Sequence, residues 1–169
     1  MKRYGTDPTE DDDGIEIGIA EYAVTTNGTQ LSTFGLGSCV AVALYEPSSG
    51  VSALAHVMLP RAQSGDQIEE AGKFADTAVE AMLAEMVERG ADRDEIRAKI
   101  VGGSEMFDFS GIAEGVGRRN IEAVERELEA LDVPIEAEDV GGDHGRSVEF
   151  DGETGTLALK TAEDGVTEL

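Results

Sequence analysis

The sequence predicts an α+β fold, a layered sandwich of roughly seven strands and two long helices rather than a doubly wound parallel sheet. Two observations carry that reading. Strand-like runs follow one another directly at both ends of the chain, and the apolar period switches to helical spacing in two segments between them. Residues 1–14 are polar and contain the run Glu10-Asp11-Asp12-Asp13, so they read as a mobile acidic arm. Residues 15–169 are then expected to form a single domain, because 169 residues suit one compact core.

Within that domain, IEIGIAEYAVTT (15–26) reads as one strand with Ile15, Ile17 and Ile19 on a shared face. VAVALYE and VSALAHVML are two further β-branched runs, separated by the turn Pro47-Ser48-Ser49-Gly50. Pairing Glu46 with Val51 across that turn sets a hairpin register in which Ala41 faces His56 and Cys39 faces Met58. In DQIEEAGKFADTAVEAMLAEMVERG (66–90), Ile68, Ala71, Ala75, Ala78, Met82 and Met86 fall at helical spacing, and Gly90 supplies the stop. RAKIVGG reads as a strand running into a glycine turn. The second helix covers RRNIEAVERELEAL, with Ile121, Val124, Leu128 and Leu131 inward and Pro134 just past its end. PIEAEDVGG, RSVEFD and TLALKT close the chain as three short strands with glycine-containing turns.

Composition restricts the function. The chain has 36 Asp plus Glu against 13 Lys plus Arg, a formal net charge of -23 spread over the whole length. Nucleic acid is therefore a poor partner, since its binding requires Lys and Arg to neutralise phosphates. The same distribution points to a halophilic cytoplasm, where about 1 M salt shrinks the screening length to roughly 3 Å and suppresses self-repulsion. No apolar run approaches the ~20 residues that span a bilayer, and MKRYGTDPTEDDDG lacks a signal-peptide core. A cytoplasmic protein without membrane insertion is expected. One cysteine and two histidines are a poor basis for a structural metal site, and no feature calls for a cofactor.

The only cysteine, Cys39, stands directly behind a bend with glycines at 35 and 37. In the hairpin register above, Cys39 and His56 lie on one face as diagonal neighbours, roughly 7 to 8 Å apart at the backbone. A nearby imidazole can take the proton of a thiol and leave a nucleophilic thiolate. The backbone of Gly37 and Ser38 can approach a substrate closely, so amides there are candidate donors to an oxyanion. Thr33, across the bend, has a hydroxyl able to accept from or donate to the imidazole. Against this stands the ordinary behaviour of a lone cysteine as a small buried hydrophobe. His144 and Arg146, in GGDHGR, are either near this site or holding turns together. The glycines of GIAEGVGRRN lack the third glycine of a dinucleotide loop.

The stretch TFGLGSCVAVALYEPSSGVSALAHVMLP (33–60) resembles the signature of the CheD family of chemoreceptor glutamine deamidases. The resemblance continues through KFADTAVEAML, KIVGGSEMF, GRRNIEAVERELEAL and IEAEDVGGDHGRSVEF, and covers nearly everything from Ile19 to Lys160. It implies an α/β/β layering similar to that of deamidating-toxin cysteine hydrolases, with both helices packed outside. It implies a cysteine hydrolase that converts glutamines of chemoreceptor signalling helices to glutamates through a thioester, with Cys39, His56 and Thr33 in the catalytic positions. It also implies a CheC-type response-regulator phosphatase as partner. Two other readings remain open: a different thiol hydrolase, such as a peptidase or transglutaminase relative, and a binding regulator of the phosphatase with little or no turnover.

Overall fold

A computed structural model describes residues 14–62, 70–105, 115–163 and 165–169. Among the described residues, ten strands form two five-stranded sheets, and two α-helices cover one of them. The inner sheet contains β2 (Tyr22–Thr25), β4 (Val40–Glu46), β5 (Val51–Val57), β6 (Arg97–Gly102) and β7 (Ile135–Val140), in the order β2-β5-β4-β6-β7. The outer sheet contains β1 (Ile15–Glu16), β3 (Gln30–Leu36), β8 (Arg146–Asp151), β9 (Thr156–Thr161) and β10 (Gly165–Glu168), in the order β1-β3-β8-β9-β10. Pairs β1/β3 and β6/β7 are parallel and the others antiparallel. Helices α1 (Ala75–Glu88) and α2 (Val116–Ala130) pack on the inner sheet. The layers are therefore helix, sheet, sheet, the α+β sandwich that the sequence predicts.

The alternation of β4 explains this order. Val40, Val42 and Leu44 point toward Ala78, Met82, Met86, Val124 and Leu128 of the helices. Ala41, Ala43 and Tyr45 point the other way, into a second core with Leu31, Phe150 and Leu157 of the outer sheet. Every residue of β4 and β5 is buried, as expected of strands covered on both faces, which read as unbroken apolar runs. The hairpin register matches the predicted one, with Glu46 opposite Val51 and Ala41 opposite His56. No helix among the described residues is long and apolar enough to cross a membrane.

Four elements differ from the sequence reading. Residues 15–26 are two strands in different sheets, because the chain turns at Ala20 (φ 70°) and crosses from the outer to the inner layer. Ile15 and Ile17 enter the second core while Ile19 is 58% exposed. The stretch Gln30–Leu36, to which the sequence reading assigns no element, is the strand β3, irregular between Thr33 and Leu36. Helix α1 begins at Ala75, because Phe74 is extended and bridges Leu59, whose carbonyl accepts from the amide of Ala75. Ile68 and the predicted arm up to residue 13 lie outside the described residues, and β10 was not anticipated.

Glu46, at the end of β4, fastens the hairpin turn to the loop after α1. Its carboxylate accepts from the amides of Ser48, Ser49 and Asp92 at 2.5, 3.0 and 2.8 Å. Burial alone would raise its pKa, but these donors outweigh it and hold the group at about 2. The folded pKa is depressed, so this stabilisation is complete above the ordinary carboxylate range and is lost as pH falls toward 2. Glu46→Gln should lower unfolding free energy by about 1.5 to 3 kcal/mol at neutral pH. Denaturant titrations should show the gap between wild type and variant closing at about pH 3 and below.

Candidate active site

The segment from Gly35 to Cys39 is where the chain leaves the outer sheet and enters the inner one, between β3 and β4. Gly35 has φ 71°, a conformation open to glycine and costly for other residues. Three consecutive carbonyls of the bend are tied from outside. The amide of Ser104 donates to Gly37, the side-chain amide of Asn120 to Ser38, and the amide of Gly103 to Cys39, each at 2.8 Å. Helix α2 comes this close because its Gly117 lies against the Gly103 and Ser104 carbonyls, where a Cβ would collide. Gly103 and Gly117 thus serve packing, and residues 111–114 of GIAEGVGRRN lie outside the described residues. With the carbonyls anchored, no hydrogen bond among the described residues uses the amides of Gly37, Ser38 or Cys39.

His56 is clamped on β5 by both backbone groups, its amide donating to Glu21 at 3.0 Å and its carbonyl accepting from Ala20 at 2.9 Å. The turn at Ala20 that breaks the predicted strand is what delivers this second bond. The ring is fully buried, and its Nδ1 lies 2.7 Å from Oγ1 of Thr33, also fully buried. Thr33 donates its single hydroxyl proton to the carbonyl of Ile17 at 2.6 Å. Its oxygen must then accept from the ring, which assigns the proton to Nδ1. Nε2 is left as an unprotonated base, buried and without a partner among the described residues.

Cys39 packs against the same inter-sheet core as Ala41, which faces His56 across the ladder. Thiol and imidazole therefore share one side of the inner sheet, as the register predicts. One detail differs. The ladder ends at Val40 and Val57, and Cys39 does not pair with Met58, whose carbonyl is taken by Asn120 at 3.0 Å. Cys39 is partly exposed, and burial raises its pKa above the ordinary thiol value. Burial lowers His56 to about 4, with the nearby charge of Glu21 opposing. Both effects favour the neutral forms, so the resting pair is a thiol and an imidazole rather than a preformed ion pair.

Asn120 is the residue that sequence reasoning missed. It is fully buried on α2 and joins Ser38, next to the nucleophile candidate, to Met58, two residues beyond His56. The available signal was an asparagine one residue ahead of Ile121 on the inward face of the second helix, but its partners are distant in sequence. Arg146 is structural: Nε and Nη2 bind Asp139 at 2.9 and 2.8 Å, and Nη1 donates to Ser104 Oγ at 3.1 Å. It thereby supports the turn that holds Gly37. His144 contributes its carbonyl to Ser104 and has its side chain in a partly exposed loop.

Comparison with known proteins adds an independent line. A family profile described as CheD chemotactic sensory transduction matches residues 58–161. The chain is 43% identical over 173 residues to the probable chemoreceptor glutamine deamidase CheD of Haloarcula marismortui, covering 99% of each chain. It is 45% identical over 149 residues to the chemoreceptor glutamine deamidase CheD of Thermotoga maritima, covering 88% of this chain and 92% of that one. Among solved structures, the Bacillus licheniformis hypothetical protein YfiH overlaps 72% of this chain and 51% of its own, with 15% identity and a TM-score of 0.47.

Two outcomes follow for the resting site. Alkylation of Cys39 by iodoacetamide should accelerate steadily with pH to beyond the ordinary thiol pKa of about 8.5, with no plateau between about pH 5 and 8. A plateau there would reveal a thiolate already paired with imidazolium. Asn120→Ala should slow alkylation at every pH and lower stability by about 1 to 3 kcal/mol, the cost of two partly buried carbonyls left unpaired.

Proposed function

The chain belongs to the CheD family of chemoreceptor glutamine deamidases, and on that premise we propose that Cys39, His56 and Thr33 are the groups that hydrolyse the glutamine carboxamide. One observation carries this reading: His56 Nε2 is a buried base with its tautomer set by Thr33, on the side of the sheet where Cys39 lies.

In the proposed reaction Nε2 takes the thiol proton as Sγ attacks the carboxamide carbon. The oxygen of the tetrahedral adduct gains negative charge, and amides of Gly37, Ser38 and Cys39 are its proposed donors, an assignment supported by their having no other partner among the described residues. Nε2–H then protonates the departing nitrogen, ammonia leaves, and a thioester remains. Water gives its proton to Nε2 and attacks the thioester. Collapse returns the sulfur to the thiol and releases glutamate. Atoms and charge balance as glutamine plus water giving glutamate plus ammonium, the ammonia taking up the proton that the new carboxyl group releases. The proton on Nδ1 stays there throughout, donated to the Thr33 oxygen, so Nε2 alone carries every transfer. A low imidazole pKa suits this cycle, because the neutral ring needed at each deprotonation is the form that burial favours.

The reaction adds one negative charge to the receptor, the same change as removing a methyl ester, which suits tuning of signalling rather than degradation. The same proposal places the enzyme in the cytoplasm with the receptor signalling helices. It also includes a CheC-type phosphatase as a binding partner. The acidic composition that predicts a salt-rich cytoplasm agrees with the similarity to the Haloarcula marismortui relative.

Incubation with a receptor signalling domain in high salt, read by peptide mass, is the test. Wild type should add about one dalton at selected glutamines without chain cleavage, and Cys39→Ala should add none. His56→Ala should lose about 10²- to 10⁴-fold in rate, and Thr33→Ala less than that. Cleaved peptides would point to a peptidase, and a Cys39→Ala variant with full deamidase activity would end the assignment. The acid limb of kcat/KM should lie well below the ordinary histidine pKa of about 6.5, since protonation of His56 is displaced to about 4.

A further inference from the structure

The ladder between β4 and β6 runs as far as Val40 opposite Gly102, so Cys39 and Gly103 are the next pair in register. In an antiparallel sheet, a pair at that position exchanges two hydrogen bonds, each amide donating to the other residue's carbonyl. Here only one of the two forms. The Gly103 amide donates to the Cys39 carbonyl at 2.8 Å, and among the described residues the Cys39 amide has no acceptor. The cause is the backbone of Gly103. Its φ of 73° is left-handed, and in that conformation N–H and C=O point apart instead of toward one neighbouring strand. The carbonyl is turned to α2, where its oxygen lies 2.5 Å from the place that a Cβ on Gly117 would occupy.

The direction of the open N–H is fixed from the other end of its own peptide group. The Ser38–Cys39 peptide is trans and planar, so the Cys39 N–H points opposite to the Ser38 carbonyl. That carbonyl accepts from the Asn120 side chain on α2 at 2.8 Å. The Cys39 amide therefore faces away from the helices, toward the inter-sheet side on which Cys39 packs and His56 lies. Residue 103 has no room for a side chain in this arrangement, because a Cβ there would run into Ile121.

We propose that Gly103 is a positioning residue for the hydrolysis: by holding its carbonyl against α2 it withholds the ladder acceptor from Cys39 and makes the Cys39 amide the principal oxyanion donor. The proposal rests on the deamidase reading above and narrows its donor set from three amides to one. An amide paired within the sheet has to break that bond before it can serve an oxyanion. One that the fold leaves open stabilises the developing charge with no rearrangement. Nucleophile and donor then belong to the same residue, so the bond from sulfur to carbon and the N–H contact to oxygen form together. Both tetrahedral adducts, the one leading to the thioester and the one leading from it, gain the same contact.

The test takes Ile121→Ala as its reference, since that change clears the space a Cβ at residue 103 needs. In the double variant Gly103→Ala/Ile121→Ala an L-residue disfavours the left-handed conformation, so the backbone relaxes toward the strand and the carbonyl swings back to Cys39. Relative to Ile121→Ala, kcat should fall about 10²- to 10³-fold with KM for a receptor signalling fragment unchanged. Displacement of iodide from iodoacetamide builds no oxyanion, so alkylation of Cys39 should run at the same rate in both proteins. Amide hydrogen exchange at Cys39 should slow in the double variant. An unchanged kcat, alkylation that falls in step with kcat, or unchanged exchange would each overturn the proposal. Should the double variant not fold, a wild-type chain with an ester oxygen in place of the Cys39 N–H takes its place. It should lose kcat by a similar factor and keep its alkylation rate, and full turnover would overturn the proposal. Hydrogen exchange requires no turnover, so slowed exchange at Cys39 beside a wild type that deamidates nothing would support the backbone arrangement and overturn the deamidase assignment alone.

Discussion

The hydrogen bond between His56 Nδ1 and Thr33 Oγ1 joins the two sheets at the point where chemistry is proposed. The imidazole belongs to the inner sheet and the hydroxyl to the outer one, so the bond exists only when the layers face each other in register. Thr33 is in turn committed to Ile17, a residue between β1 and β2. The identity of the basic nitrogen on His56 is thus decided by packing of the sandwich, not by either strand alone.

A buried polar pair of this kind is stable only when every other demand around it is met. The arrangement meets them by anchoring the backbone. Ala20 and Glu21 hold His56 from the β2 side, and Gly103, Ser104 and Asn120 hold the three carbonyls leading into Cys39. Arg146, bound to Asp139, steadies Ser104 from the outer sheet. Among the described residues Nε2 is left open, as are Oδ1 of Asn120 and Oγ of Ser52, and an unpartnered buried base near a bend with unused amides is the property expected of a site awaiting an amide substrate.

Charge acts on a different scale. The neutral thiol and imidazole are governed by burial within a few ångströms, and salt barely reaches them. The acidic exterior is governed by solvent. Salt screens its self-repulsion, and groups in direct contact keep their influence.

Much of this was legible in the residues themselves. The hairpin β4/β5, its register, both helices and the last three predicted strands follow from period and turn chemistry, which are local properties. Register alone put Cys39 and His56 on one face, because alternation in a strand leaves no freedom once the turn is known. The isoleucines at 15, 17 and 19 misled because a period of two continues through a crossover between sheets. The strand Gln30–Leu36 was hidden because its serine, threonine and glycine resemble a bend until β8 pairs with it. What only the tertiary structure decided was the direction of the Thr33 hydroxyl and the reach of Asn120. Each depends on groups tens of residues apart, whose distances are set by how the layers pack and leave no periodic trace in the chain.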